Sequence, residues 1–283
     1  MVSILMNCYN CEKYLKEAID SIYNQTYKDW EIIFIDNCSI DKSVEIAKSY
    51  DEKIKIYKTP KNIPLGAARN FGLKFCKGEY LAFLDTDDIW MENKLELQIK
   101  NIKDAKMCYT GVIFIDENGK EIKRELPKAD DDVFRQNLKR YEISMQSVLL
   151  KNENISFDES LKHSPDFKLF MSIASKEKVC VLRKYLVKYR KFSNSLTSKN
   201  IKYWHIEMKK SLDEILNDEL REKYKDEIKL AYGKMSFYKY QYLLSQNRYK
   251  EAQKELSKIK FIDYRYLILY LATPFLAKKI LKV

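Results

Sequence analysis

The sequence predicts an α/β fold in which a mostly parallel sheet carries helices on both faces, followed by a helical region. The first hundred residues alternate short apolar runs with amphipathic stretches, the order of strands and helices expected of such a sheet. From Tyr203 onward the pattern is helical. The 283 residues are 46% hydrophobic and include only 6 Gly and 5 Pro, so we expect a sizeable core and no low-complexity linker.

Before residue 85 we predict seven elements, four strands and three helices in alternation. The strand candidates are short apolar runs: Val2–Cys8, Trp30–Ile35, Ile54–Tyr57 and Tyr80–Leu84. The helix candidates between them are Glu12–Tyr23, which places apolar residues at helical spacing, Asp41–Tyr50 and Leu65–Phe75. Because each strand is followed by a helix, the strands are expected to run parallel.

After residue 105 the pattern changes. Met107–Ile115 and Glu121–Arg124, joined by Asp116–Lys120, predict a β-hairpin, and Ser147–Lys151 is a further strand candidate. A later helix has the apolar face Phe167, Phe170, Met171 and Ala174. We predict an α/β domain over residues 1–200, with halves of about 1–105 and 106–200, and a basic helical region over 201–283.

The charge is concentrated at the C-terminal end. The net charge is +11, and residues 228–283 contain 12 Lys/Arg against 3 Asp/Glu, so this segment alone carries +9. Such a balance indicates an anionic partner. Because the amino-terminal part is nearly neutral, we do not expect a nucleic-acid groove across the molecule.

The last segment, residues 261–283, predicts a helix at an anionic membrane surface. Tyr266–Ala277 carries no charge and is followed by Lys278, Lys279 and Lys282. Twelve residues are too few to cross a bilayer, which takes about 20, but apolar residues flanked by lysines suit its surface. Pro274 is expected to kink or break the helix. The alternative is a terminal helix packed on the protein, or a dimer contact.

Polar residues follow three of the predicted strands, at Asn7–Asn10, Asp36–Ser39 and Asp85–Asp88. Ligands of open α/β sheets bind at the carboxyl ends of the strands, so the active site is expected there. Three crowded carboxylates repel one another unless a cation compensates them, and oxygen ligands suit Mg²⁺ or Mn²⁺. The alternative is that Asp87 and Asp88 start a helix.

Three segments, VSILMNCYN, IDNCSID and GAARNFGLKFCKGEYLAFLDTDD, resemble the family 2 glycosyltransferases in order, spacing and residue type. The resemblance covers residues 2–88. It implies the GT-A fold and inverting, metal-dependent transfer of a sugar from a nucleotide-sugar, with a UDP-sugar as the expected donor. Relatives of this type build bacterial surface polysaccharides, so the expected acceptor is a lipid-linked oligosaccharide or another surface glycan.

The resemblance also assigns roles by position. It implies that Asp85 and Asp87 hold Mn²⁺ or Mg²⁺ and that Asp85, Thr86 and Arg69 contact the donor. Residues after the first two strands are expected to bind the nucleotide: Cys8, Asn10, Asp36 and Asn37. The chain departs from the family pattern at Asn7-Cys8, where Pro and Thr are usual, at Asn37, where a second Asp is usual, and at Pro64, where Gly is common.

A second segment, FDESLKHSPDFKLFMSIA, resembles the family's second acidic motif and implies that Asp166 is the catalytic base. The residues themselves also predict a helix start, with Ser164 as N-cap, Pro165 at the first position and an acid in the first turn. Both interpretations can hold, because a helix amino terminus favours an ionised carboxylate.

Other chemistry has less support. Cys8 and Cys11 have redox CxxC spacing, but no second pair exists for zinc, and neither GxGxxG nor a P-loop motif occurs. Six cysteines in a chain of this length suggest a reducing cytoplasm, and we expect a peripheral position on the inner face of the cytoplasmic membrane. Two alternatives remain: a catalytically inactive GT-A protein that binds sugar or membrane, and a sugar nucleotidyltransferase, which would need a glycine-rich loop at Cys8–Lys13.

Overall fold

The computed structural model describes residues 1–192, 201–262, 264–272 and 274–281. The chain forms two units, the first from Met1–Val133 and Glu142–Phe192 and the second from Phe134–Tyr141 and Ser193–Val283. The boundary predicted near residue 200 lies in 193–200, outside the described residues. The sequence did not predict that residues 134–141 belong to the second unit.

The first unit contains a nine-stranded sheet with the strand order β3-β2-β1-β4-β8-β6-β9-β5, and β7 pairs with β6. The strands are β1 Val2–Cys8, β2 Trp30–Asp36, β3 Ile54–Lys58, β4 Tyr80–Phe83, β5 Ile89–Trp90, β6 Met107–Ile115, β7 Glu121–Glu125, β8 Leu149–Lys151 and β9 Val179–Arg190. Strands β1 to β4 pair in parallel, as predicted. Every residue of β2 is buried, which explains its continuous apolar run.

Seven helical segments alternate with these strands along the chain. They are α1 Glu12–Tyr23, α2 Ser43–Lys48, α3 Leu65–Leu73, α4 Lys94–Ile102, α5 Val133–Lys139, a 3₁₀ turn Met145–Ser147 and α6 Pro165–Lys176. Helix α3 packs closely on the sheet because Gly72 has no side chain, and a Cβ there would lie 2.8 Å from Ile35 Cγ1. This close approach fixes the position of Arg69, one turn earlier on the same helix.

Three features differ from the sequence predictions. Strand β9 was not predicted, because its residues VCVLRKYLVKYR mix apolar and charged positions; it lies between β6 and β5 and runs parallel to β6. Ser147 belongs to the 3₁₀ turn, and the strand after it starts at Leu149. The alternative that Asp87 and Asp88 start a helix is wrong, because β5 follows them and α4 begins at Lys94. The predicted hairpin is confirmed as β6 and β7.

The second unit is helical. Besides most of α5 it contains α7 Ile201–Ile215, α8 Asp218–Lys223, α9 Lys225–Ser245, α10 Tyr249–Ser257, α11 Tyr264–Leu271 and α12 Pro274–Leu281. Arg135 on α5 pairs with Glu227 on α9 at 2.8 Å. Pro274 opens α12, so the predicted break at this proline is confirmed. Within the described part of the chain, no helix is long and apolar enough to cross a membrane.

Candidate active site

The acidic run follows β4, near the middle of the sheet, and its three carboxylates lie at different depths. The Asp85 side chain is 40% exposed, Asp87 is half-buried beside half-buried Thr86, and Asp88 is 1% exposed. The run therefore presents Asp85 to solvent and turns Asp88 into the protein. Asp85 can therefore reach a ligand, whereas Asp88 can only contact protein groups.

Asp85 belongs to a cluster with Arg69 and Asp166. Arg69 on α3 is 5% exposed, its Nη2 lies 3.5 Å from Asp85 Oδ1, and its guanidinium stacks at 5.5 Å over the Phe157 ring. Burial raises the pKa of Asp166 above its usual range, the nearby Arg69 charge offsets part of that rise, and the Asp85 charge adds to it. The charges of Asp85 and Asp166 thus both act on the nearly buried Arg69, which lies 3.5 Å from Asp85.

The packing of α3 against α6 brings this cluster together. A Cβ on Gly66 would lie 3.6 Å from Pro165 Cβ and 3.7 Å from the Asp158 carbonyl oxygen, so α3 meets the start of α6 at this glycine. Ser164 is the N-cap and Pro165 is in the first turn, which confirms the predicted helix start. Asp166 is therefore held at a helix amino terminus, where backbone N–H groups of Asp166 and Phe167 lower its pKa.

Asp87 is suited to a cation. Burial, and then the Asp85 charge, raise the pKa of the Asp87 carboxyl to about 6. A divalent cation would remove this repulsion, and Mg²⁺ in proteins is often held by one or two carboxylates together with substrate phosphates. Among the described residues, no group of three or more His, Cys, Asp and Glu could hold a metal. Asp85 and Asp87 would therefore have to share the ion with donor or water oxygens.

Asp88 anchors the acidic run. Its Oδ2 accepts a hydrogen bond from Gln146 Nε2 at 2.6 Å, and its Oδ1 accepts one from the Arg190 backbone N–H at 2.7 Å. Burial raises the pKa of Asp88 well above the usual range, and the Asp87 charge adds to this. The carboxyl joins the loop to the 3₁₀ turn and to the end of β9.

Arg190, which ends β9, is 3% exposed and holds the loop from the other side. Its Nε donates to the Asp87 carbonyl at 3.0 Å, and its Nη2 contacts Glu17 Oε2 at 2.5 Å. Its Nη1 lies 3.2 Å from the Glu117 carbonyl, and the guanidinium sits 4.3 Å over the Tyr14 ring. One buried guanidinium thus ties the acidic run to α1 and to the turn after β6.

Sequence reasoning assigned no role to Arg190, Gln146 or Glu17. Arg190 is 102 residues from Asp88 in the chain, so no local sequence pattern connects the two. The only local signal for Arg190 was its place at the end of a segment that mixes apolar and charged residues. Its contacts arise from the pairing of β9 with β5 and β6.

Asp36 ends β2, in register with Cys8 on β1, and Asn37 follows it. Asp36 is 1% exposed, accepts a hydrogen bond from the Ser39 N–H at 2.8 Å and lies 3.9 Å from Lys58 Nζ. The Asn37 amide turns inward: its Nδ2 donates to the Ile63 carbonyl at 2.8 Å and its Oδ1 accepts from the Ile63 N–H. Asn37 therefore fixes the loop beside Asp36, and its predicted contact with the nucleotide stays a prediction.

Cys8 and Asn10 begin the loop between β1 and α1. Cys8 is 2% exposed and forms a disulfide with Cys11, which differs from the all-thiol state expected of a reducing cytoplasm. Asn10 is exposed, has a φ of 52° and accepts a hydrogen bond from the Ile40 N–H at 2.9 Å. The Cys8 carbonyl also accepts a hydrogen bond from the Asn37 N–H at 2.8 Å. Through these contacts the two predicted nucleotide-binding loops form a single edge.

An unpaired amide lies at the same edge. Among the residues described, the buried Nδ2 of Asn7, near the carboxyl end of β1, has no hydrogen-bond partner. An unpaired buried donor costs about 1–3 kcal/mol, so a partner is expected when a ligand binds. The position supports the prediction that ligands bind at these strand ends.

Comparison with known proteins shows which family the chain resembles. Residues 3–158, more than half of the chain, match the model of the family described as Glycosyl transferase family 2. An uncharacterised glycosyltransferase of Methanocaldococcus jannaschii is 39% identical over 206 residues, which cover 67% of this chain and 70% of that protein.

Two further relatives are informative. An Escherichia coli enzyme, the UDP-Glc:alpha-D-GlcNAc-diphosphoundecaprenol beta-1,3-glucosyltransferase WfgD, is 29% identical over 77% of this chain and 86% of its own. The structure of S. aureus TarS 1–349 in complex with UDP-GlcNAc has a TM-score of 0.71 and 22% identity over 94% of this chain and 82% of TarS 1–349. This structural match confirms the predicted GT-A fold with C-terminal helices.

Proposed function

Because the chain belongs to glycosyl transferase family 2 and is a glycosyltransferase, we propose that it is an inverting, metal-dependent enzyme. It would transfer a sugar from a UDP-sugar to a hydroxyl of a lipid-linked or cell-surface glycan. The observation that carries this proposal is the cluster of Arg69, Asp85 and Asp166 at the carboxyl end of β4. The names of the relatives that act on or bind UDP-sugars support the donor class.

The donor would be bound by complementary charges. The Arg69 guanidinium, nearly buried and stacked over the Phe157 ring, would donate hydrogen bonds to phosphate oxygens. Asp85 and Asp87 would hold Mn²⁺ or Mg²⁺, which when bound neutralises the charge that develops on the departing diphosphate. Thr86, between the two carboxylates, would contact the donor. Cys8, Asn10, Asp36 and Asn37 would form the nucleotide edge.

Asp166 would supply the base. In a single displacement the acceptor oxygen attacks the anomeric carbon, the bond from that carbon to the diphosphate breaks, and the hydroxyl proton moves to the Asp166 carboxylate. A base works best with a pKa near the working pH, and burial raises the pKa of Asp166 in that direction. Because one displacement occurs, the configuration at the anomeric carbon inverts.

The test is donor binding followed by turnover. UDP-, GDP- and dTDP-sugars should be compared with and without Mn²⁺ in thermal unfolding, and we expect the UDP-sugar with Mn²⁺ to raise the melting temperature most. A ligand at 100 times its Kd stabilises the folded state by about 2.7 kcal/mol. Slow metal-dependent hydrolysis of the same donor without acceptor would separate an enzyme from an inactive binding protein.

The matched variants are Asp87→Asn and Asp104→Asn. Asp87→Asn should abolish the Mn²⁺-dependent part of the shift and the hydrolysis. Asp104, a surface residue paired with Lys178, should tolerate the same change without effect. If Mn²⁺ altered neither binding nor hydrolysis for any of the three donors, the metal-dependent mechanism would be wrong.

We also propose that the C-terminal helices hold the enzyme at the cytoplasmic face of an anionic membrane, close to a lipid-linked acceptor. Part of this segment packs inside its own unit: Leu269 and Ala277 are buried. Other apolar side chains remain exposed, with Phe261 at 82% and Leu271 at 75%. Residues 228–283 carry a net charge of +9, from 12 Lys/Arg and 3 Asp/Glu, which would attract acidic headgroups.

The membrane proposal predicts that a Phe261→Ser, Leu271→Ser variant binds vesicles containing acidic phospholipid at least about 10-fold more weakly, because apolar area buried at the interface sets the affinity. Co-sedimentation with such vesicles is the measurement. Ile122→Ser, which removes a 54% exposed apolar residue from β7, is the control. Equal co-sedimentation of the wild-type protein, the double variant and Ile122→Ser would contradict the proposal.

A further inference from the structure

Two cysteine thiols face each other across neighbouring strands, away from the acidic run. Cys108 on β6 is in register with Cys180 on β9, and their Sγ atoms lie 3.1 Å apart. The Cys108 thiol donates its hydrogen to the Cys180 sulfur, and neither residue is in a disulfide. A disulfide bond, at about 2.05 Å, needs the two sulfurs to move only about 1 Å closer.

The two thiols differ in their access to solvent. Cys108 is 0% exposed, whereas Cys180 is half-buried and lines a surface cavity of about 470 Å³. Cys180 is therefore the one of the two residues that borders the cavity, and the Cys108 sulfur lies 3.1 Å from the Cys180 sulfur. Access therefore decides which thiol reacts first.

The surroundings favour a reactive Cys180. The hydrogen bond from Cys108 lowers the pKa of the Cys180 thiol, and the Lys103 charge lowers it further. Lys178 and Arg183 also line the cavity, but they pair with Asp104 and Asp130. Lys103 is therefore the cation that acts on the sulfur, and a thiolate is the form of cysteine that reacts with oxidants.

The other two free cysteines serve as internal comparisons. Burial raises the pKa of Cys76 to about 12, and its thiol donates to the Gly72 carbonyl at 3.5 Å. The Cys38 thiol donates to the Thr59 carbonyl at 3.4 Å. Each of these thiols donates to a carbonyl oxygen, whereas the Cys108 thiol donates to a second sulfur.

We propose that Cys108 and Cys180 form a two-thiol site that is oxidised by hydroperoxides, with Cys180 as the attacking thiol and Cys108 as the resolving thiol. The Cys180 thiolate attacks one peroxide oxygen, the O–O bond breaks, and the second oxygen takes a proton and leaves as water or an alcohol. Cys180 becomes a sulfenic acid. The Cys108 sulfur then attacks the Cys180 sulfur, the S–O bond breaks, and the hydroxyl group leaves with the Cys108 proton as water.

The product would be a disulfide between β6 and β9. This cross-link would fix the pairing of the strand that ends at Arg190, and a dithiol reductant would restore both thiols. The site lies outside the cluster of Arg69, Asp85 and Asp166, so it does not depend on the proposed sugar transfer.

The test uses the full wild-type chain. Hydrogen peroxide is added, the remaining thiols are alkylated with iodoacetamide at timed intervals, and the digested protein is analysed by mass spectrometry. We expect a peptide pair linked through Cys108 and Cys180, reversible by dithiothreitol, with free Cys180 lost at least about 10-fold faster than free Cys76. Loss of Cys180 and Cys76 at equal rates, or no linked pair, would overturn the proposal.

Variants identify the role of each thiol. Cys108→Ser should leave Cys180 as a sulfenic acid that dimedone labels, whereas Cys180→Ser should remove the reaction at both positions. Cys76→Ser is the matched control and should leave the linked pair unchanged. Dimedone labelling at Cys108 in the Cys180→Ser protein would show that the assigned order is wrong, and the wild-type measurement decides the proposal if a variant fails to fold.

Discussion

Replacing Asp166 by Asn is expected to lower the turnover number for sugar transfer by about 10²- to 10⁴-fold, the usual contribution of a general base. An amide cannot accept the acceptor's proton, but it has nearly the same size and leaves Ser164 and Pro165 to start α6. Because Asp166 is not among the residues proposed to bind the metal or the nucleotide, the Kd for the donor should change little.

Two measurements separate this role from a structural one. Initial rates with saturating donor give the loss of turnover, and thermal shifts with UDP-sugar and Mn²⁺ report donor binding. Asp158→Asn is the matched control, because the Asp158 carboxylate pairs with Lys168 Nζ of α6 at 2.6 Å and has no proposed part in the transfer. Wild-type turnover by the Asp166→Asn protein would remove this residue from the role of base.

Replacing Arg190 by Met is expected to lower the free energy of unfolding by about 1–3 kcal/mol, mainly because the carbonyl oxygens of Asp87 and Glu117 lose their donor. The pair with Glu17 adds little to this, since the Glu17 side chain is 52% exposed. Arg190 is 3% exposed and donates to Glu17 and to the Asp87 carbonyl. Sugar transfer should fall by at least about 10²-fold, because displacement of a positioned group by about 1 Å has an effect of that size.

Two further results would distinguish a positioning role of Arg190 from a purely stabilising one. Mn²⁺-dependent donor binding should weaken, since Asp87 is no longer held, and Arg190→Lys should give little rescue because an ammonium cannot replace the guanidinium fork. Urea unfolding and donor titrations measure the two effects. Arg183→Met on the same strand is the control: Arg183 is 51% exposed and its pair with Asp130 should contribute only about 0–1 kcal/mol. Wild-type stability and metal dependence in Arg190→Met would contradict the assignment.

The amino-terminal half of the fold was predictable because its signals are local. Strands β1, β2 and β4 are short apolar runs followed by polar residues, and α1 has apolar residues at helical spacing. The predicted bounds of β1 and α1 agree with the structure. Because parallel strands end at one edge of a sheet, the positions of Asp36 and Asp85 could also be predicted.

Strand β9 was not predictable in the same way. It pairs with β6 on one side and β5 on the other, so its neighbours come from distant segments of the chain. Its exposed and half-buried residues do not alternate regularly, which removes the periodic signal of a strand. Without β9, nothing in the sequence could place Arg190 beside Asp88.

The acidic run Asp85–Asp88 shows both what the sequence determines and what only the tertiary structure decides. The sequence by itself determined that carboxylates follow β4 at the ligand-binding edge, and the resemblance selected Asp85 and Asp87 among them. Only the tertiary structure decided that Asp88 turns inward to Gln146 and Arg190, while Asp85 stays exposed beside Arg69. The reason is physical: spacing along the chain sets which groups follow a strand, whereas burial and charge compensation depend on the segments that the fold packs against them.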